Sequence, residues 1–286
     1  MLPKGIDSAQ SIGWRRHTIP LSGEILPVGS AGRAEIGGEK VFSEGSTRVA
    51  NALKDFKYLS FDVVGTLIDF EGGLTRSFAE IGREHGVELD GEHALSLYRQ
   101  ARYSENADLF PDDLVRVYLA IAPQLGLPAE RAYGEKLRDD VRHWQAFPDS
   151  VEALANLGKH YKLIAMTNAR RWAFELFEKE LGNPFYQSFT ADDTGTEKPD
   201  RAFFEQVFAF VEGEGGAKAD ILHVAQSQYH DIGISRRLGM TNCWIERRHA
   251  QKGYGGTIEP AEFAKPDYHF MSMSALSDAT DEAAID

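Results

Sequence analysis

Residues 58 to 64 read YLSFDVV, an apolar run that carries one aspartate and stops at Gly65. Its length and β-branched end predict a buried strand over Tyr58–Val64, with GTLIDFEGG behind it as a glycine-bounded loop. From about Leu74 to Trp144 the spacing changes. TRSFAEIGREHG, EHALSLYRQARYSE, DDLVRVYLAIAPQLG and AERAYGEKLRDDVRHW each repeat apolar residues at intervals of three and four, which predicts a helix in each. Asp112 is placed to cap one of them and Gly126 to end it. After FPDS, helices and short β runs alternate: DSVEALANLGKH, then the strands YKLIAMT and YQSFTA, the helix KPDRAFFEQVFAFVEG, the strand ILHVAQ, the helix DIGISRRLG and the strand TNCWIER. That alternation predicts an α/β fold with a parallel sheet covered by helices.

The all-helical block after the first strand then reads as an insertion. The chain divides into an extension over 1–52, a core over 53–70 and 146–275, a helical cap over 71–145, and an acidic tail over 276–286 that is expected to fray. The extension, with LSGEILPVGSAGRAEIGGEK, is rich in glycine and has no sustained period. It reads as loosely ordered or as translated from a misassigned start codon, with a weak hairpin signal from Glu35 to Phe42.

Composition removes some functions. A formal net charge of −13 argues against nucleic acid, because phosphate binding needs a basic face. No apolar run reaches the length of a membrane span, and the N-terminus lacks the apolar segment of a secretory signal. Cys243 is the single cysteine, so no internal disulfide and no cysteine-based zinc site can form. A cytoplasmic protein is expected. An anionic substrate would need a few local cations.

In an open parallel sheet, reactive groups gather beyond the carboxyl ends of the strands. Four polar sets fall there: Asp62, Thr167 with Asn168, Lys198, and AQSQYHD over 225–231. A lone aspartate after a strand is usually a turn residue, but convergence of a carboxylate, a lysine and a hydroxyl points to an active site.

In order and spacing these sets resemble the haloacid dehalogenase (HAD) superfamily over most of residues 58 to 250. FDVVGTL resembles its Asp-x-x-Gly-Thr nucleophile motif, with Asp62 and Thr66. AMTN supplies the hydroxyl of Thr167, EKPD the lysine Lys198, and the last motif closes at Asp231. The resemblance implies a Rossmann-like core, Asp62 as nucleophile, and the helical block as a mobile cap. A carboxylate nucleophile splits one difficult step into two through a covalent ester or acyl phosphate. A lysine beside it keeps it ionised.

Two positions favour one branch. In a strand, residues i and i+2 share a face, so Val64 is expected beside Asp62. Phosphatases of the superfamily carry a second aspartate there to protonate the departing alcohol. Valine cannot do so, and a halide leaving group needs no proton. The alternative is a degenerate phosphatase in which Val64 is ordinary packing. Magnesium-dependent members also carry an acid where this chain has Gln226, so no required metal is expected; Mg2+ would be required if the chain were a phosphohydrolase.

These features resemble the type II, or L-2-haloacid dehalogenase-like, branch. The resemblance puts Arg99, in LYRQARYSEN, over the site to bind a substrate carboxylate or halide; the alternative is a solvated helix arginine. It makes Asn168 a halide contact, joined by Thr66 and Gln226 in substrate binding. Phe204, Gln226 and Gln228 depart from the better-known members. AQS…HD instead resembles a sub-branch in which Ser227 and His230 are further candidates, His230 sharing with Asp231 the activation of water.

The expected reaction is hydrolysis of short 2-haloalkanoic acids to 2-hydroxy acids through an aspartyl ester. The partner is a small anionic substrate. Related enzymes often dimerise, though no apolar stripe here requires a homodimer. The alternatives are a HAD phosphohydrolase acting on a good leaving group, and a binding protein that kept the fold and lost turnover.

Overall fold

The computed structural model describes residues 52–285, so the reading of 1–52 as an extension lies outside them, Ala52 apart. The first strand, β1 (Tyr58–Asp62), is buried along its whole length and ends on the aspartate itself. It stops two residues earlier than the apolar run suggests. Gly65 takes a φ of +95°, a left-handed turn that side-chain-bearing residues rarely adopt, and its N–H donates to the Ile68 carbonyl.

Helices α1 (Phe70–Glu84), α2 (Gly91–Arg102), α3 (Leu114–Ile121) and α4 (Arg131–Asp139) follow before the chain returns to the sheet. Helix α1 begins four residues before Leu74, because Asp69 accepts from Gly72 N at 2.9 Å and starts the helix through the glycine pair. Asp112 does not cap α3. The cap position is Asp113, and Asp112 pairs with Arg170 at 2.5 Å. Gly126, with a φ of 70°, closes the 3-10 turn that carries α3 onward.

The remaining elements are α5 (Ser150–Leu157), β2 (Lys162–Met166), α6 (Arg171–Glu180), β3 (Gln187–Phe189), α7 (Ala191–Thr194), α8 (Arg201–Gly213), β4 (Ile221–Ala225), α9 (Gly233–Arg237), β5 (Thr241–Ile245), β6 (Tyr268–Phe270) and α10 (Met273–Ile285); the alternation holds, and α6, α7, β6 and α10 are additions to the elements the pattern predicts. The sheet is parallel in the order β3-β2-β1-β4-β5-β6. Where the tail is expected to fray, residues 276–285 continue α10, which packs on α5, with Met273 and Leu276 fully buried.

The core lies on both faces of the sheet, as its helix-covered strands require. The same cluster runs on into the helical insertion through Phe70, Phe78, Tyr118 and Trp144. Sheet and insertion therefore share one compact unit. Among the described residues no helix is long and apolar enough to cross a membrane.

Candidate active site

The strand order places β1 between β2 and β4, so the loops leaving these three strands diverge from a common edge. Asp62, Thr167, Asn168, Lys198, Gln226, Ser227, His230 and Asp231 all line a single cavity of about 420 Å³ there. Val64 lines it too. It is already in the loop beyond β1, so its place follows from the turn at Gly65 and not from strand alternation.

Lys198 is the hub. It is 3% exposed, and its ammonium donates to Asp62 Oδ1 at 2.9 Å, Asp231 Oδ1 at 2.6 Å and the Met166 carbonyl at 2.8 Å. Burial works against the ammonium, but the carboxylates of Asp231 and Asp62 more than offset this and raise its pKa. Burial pushes the carboxyl of Asp62 up, and Lys198 counters only part of that push. Asp231 is buried as deeply, yet Lys198 and His223 hold it down at about 2. The two carboxylates are thus driven apart by their surroundings, one poised and one firmly ionised.

Several partners position this trio. Thr66 is fully buried. It donates to Asp62 Oδ2 at 2.6 Å and accepts from Gln226 N at 2.8 Å. With both bonds made and Thr66 outside the cavity lining, its hydroxyl orients Asp62. Asn168 has its amide spent in the same way: its nitrogen donates to the Lys198 carbonyl at 2.8 Å and its oxygen accepts from Lys198 N at 2.7 Å. Thr167 accepts from Ala169 N at 3.1 Å. His230 lies in a π-helical turn, Gln228–Ile232, with Nδ1 3.1 Å from Ser227 Oγ and its ring edge-on to Tyr229. Burial lowers its pKa to about 4, so it is neutral at physiological pH.

The structure corrects the arginine. Arg99 is absent from the cavity lining; it donates to the Gly255 carbonyl at 2.6 Å and pins the loop between β5 and β6 to α2. Arg102, three residues on along the same helix, lines the cavity instead and pairs with Glu197 at 3.1 Å and Asp113 at 3.5 Å. The pinned loop contributes Gly256, Thr257 and Ile258 to the wall.

Sequence reasoning also missed His223 and Ser60. His223 is fully buried in the middle of β4, with Nε2 3.0 Å from Asp231 Oδ1 and Nδ1 3.0 Å from Ser60 Oγ. The available signal was a polar residue inside ILHVA, a strand otherwise apolar on both faces.

A divalent ion here would draw on the carboxylates of Asp62 and Asp231, with the uncharged Gln226 beside them. Among the described residues no group of three His, Cys, Asp or Glu side chains converges. The two carboxylates present already share the Lys198 ammonium. Mg2+ is commonly held by one or two carboxylates and waters, so Asp62 and Asp231 would hold it only in competition with the Lys198 ammonium.

Residues 56–224 match the family model for haloacid dehalogenase-like hydrolases. The chain belongs to that family. Among haloacid dehalogenase-like relatives, YfnB of Bacillus subtilis (strain 168) is 23% identical over 202 residues, spanning 68% of this chain and 85% of YfnB. A crystal structure of YfnB bound to magnesium superposes with a TM-score of 0.64 at 18% identity, over 79% of this chain and 99% of the other. The L-2-haloacid dehalogenase from Xanthobacter autotrophicus, with chloropropionic acid covalently bound, gives 0.62 at 17% identity, over 79% and 98%. At such identities the structural likeness extends to the fold.

Proposed function

We propose that this hydrolase cleaves carbon–halogen bonds of short 2-haloalkanoic compounds and yields 2-hydroxy products. The observation that carries the reading is the cavity pairing of Asp62, held by Lys198, with an apolar Val64 where a second acid would serve an alcohol leaving group. A carboxylate oxygen of Asp62 attacks the carbon bearing the halogen and inverts it. The carbon–halogen bond breaks, and the halide leaves with the electron pair. Water then attacks the carbonyl carbon of the Asp62 ester, and the alcohol departs as Asp62 is regenerated.

Two groups share the handling of that water. Asp231 Oδ2 is buried at the cavity with no hydrogen-bond partner among the described residues, which suits it to orient a water molecule. His230, kept neutral by burial and lining the same cavity, takes the proton. The two steps as written need no metal.

The test is halide and phosphate release in parallel over 2-halo compounds and phosphate esters, with EDTA and with Mg2+. Halide release that survives EDTA is expected. Phosphate release that requires Mg2+ would replace this reading with the phosphohydrolase alternative, and silence on both panels would favour a binding role.

A further inference from the structure

Each cation that lines the cavity already has anionic partners. Lys198 lies between Asp62 and Asp231, and Arg102 between Asp113 and Glu197. Behind Arg102, Asp113 is also held by Arg116, at 2.6 and 2.7 Å. The lining therefore counts two cations, Arg102 and Lys198, against three carboxylates, Asp62, Asp231 and Glu197. Neutral His230 adds nothing to the positive side. A bare carboxylate entering this space meets a surplus of negative charge in a partly desolvated setting, where like charges repel strongly.

The Arg102–Glu197 pair offers something else. Side by side at 3.1 Å, one group only donates hydrogen bonds and the other, when ionised, only accepts them. That array complements a group with an acceptor and a donor on one carbon. A primary carboxamide is such a group, and it carries no charge. Tyr98, Tyr103 and Phe110 line the same cavity, and the Tyr103 ring lies 5.8 Å from the Arg102 guanidinium.

We propose that the site takes its substrate as a 2-halocarboxamide, with the carbonyl oxygen accepting from Arg102 and the amide N–H donating to Glu197. Glu197 is then the specificity-determining residue that excludes the free acid. The inference rests on the dehalogenation reading for the reacting bond, but the recognition of the amide stands apart from it.

The experiment has two arms on the full chain. Binding of lactamide and of lactate, which mimic the two products, is measured by calorimetry for wild type and Glu197→Gln. Halide release from 2-chloropropionamide and 2-chloropropionate is measured on the same proteins. Wild type is expected to favour the amide in both arms by about tenfold or more, since a site built around a hydrogen-bonding pair discriminates against the mismatched partner. Glu197→Gln is expected to tighten lactate about tenfold, while lactamide changes much less. Stronger binding of lactate by wild type, binding of neither, or a Glu197→Gln protein that loses lactate would overturn the inference. Preferred binding of lactamide with no halide released from either compound would uphold it and refute the dehalogenation reading instead.

Discussion

At the scale of single residues, the site depends on how differently two neighbouring carboxyls are treated. Asp62 must be ionised to attack, and burial raises its pKa above the ordinary 3.8. The acid limb of kcat/KM should therefore begin at a higher pH than an unperturbed aspartate would give, read from a profile on a substrate with no titration of its own. Asp231 has the opposite sign. Its folded value of about 2 lies below 3.8, so the stability it contributes is complete above that range and lost as pH falls toward 2. His223 supports that depression from a fully buried position. His223→Phe leaves Asp231 and Ser60 each short of a partner, and should cost about 1–3 kcal/mol in urea unfolding. It should also lower kcat with little change in KM, because His223 touches no substrate; an unchanged kcat would mean that His223 serves packing alone. Asp62, Lys198 and Asp231 were legible from residue type and order. Their positioning partners were not, since Ser60 and His223 meet across two strands and nothing in either strand alone records the pairing.

At the scale of elements, periodicity located most helices and strands but misplaced their ends where a side chain or glycine overrode the pattern. Helix α1 starts at Phe70, ahead of the stretch EGG, because Asp69 caps it, and it runs on through both glycines, the second of which has a packing role. A Cβ on Gly73 would lie 2.4 Å from the ring of Trp144, which stacks on Phe177 of α6 and so joins the insertion to the sheet layer. Gly73→Ala should destabilise by about 1–3 kcal/mol in urea unfolding, as overpacked cores do; a neutral result would show that the indole moves aside freely. That Arg102 and not Arg99 lines the cavity is also an element-scale matter. Both lie on α2 within one turn, and their roles are divided by the β5–β6 loop, which Arg99 holds at Gly255 and which no local pattern places beside α2.

At the scale of the whole molecule, the parallel sheet and inserted helices were readable because strands and helices alternate in sequence, and the connection rules leave few arrangements. The closing β6–α10 unit was not, because β6 is only three residues long and α10 carries its apolar positions among acidic ones. The cavity is a property of the whole fold: α2, the loops after β1, β2 and β4, the segment before α8 and the β5–β6 loop all contribute walls. What unites them chemically is the claim that Asp62 is the nucleophile. The direct measurement is turnover in heavy-oxygen water followed by peptide mass analysis. Attack by Asp62 and hydrolysis of its ester place heavy oxygen in the peptide carrying Asp62 after repeated turnovers, and leave the product of a single turnover unlabelled. Label in the product of that first turnover, with none in the Asp62 peptide, would mean that water attacks the substrate directly and would contradict the account.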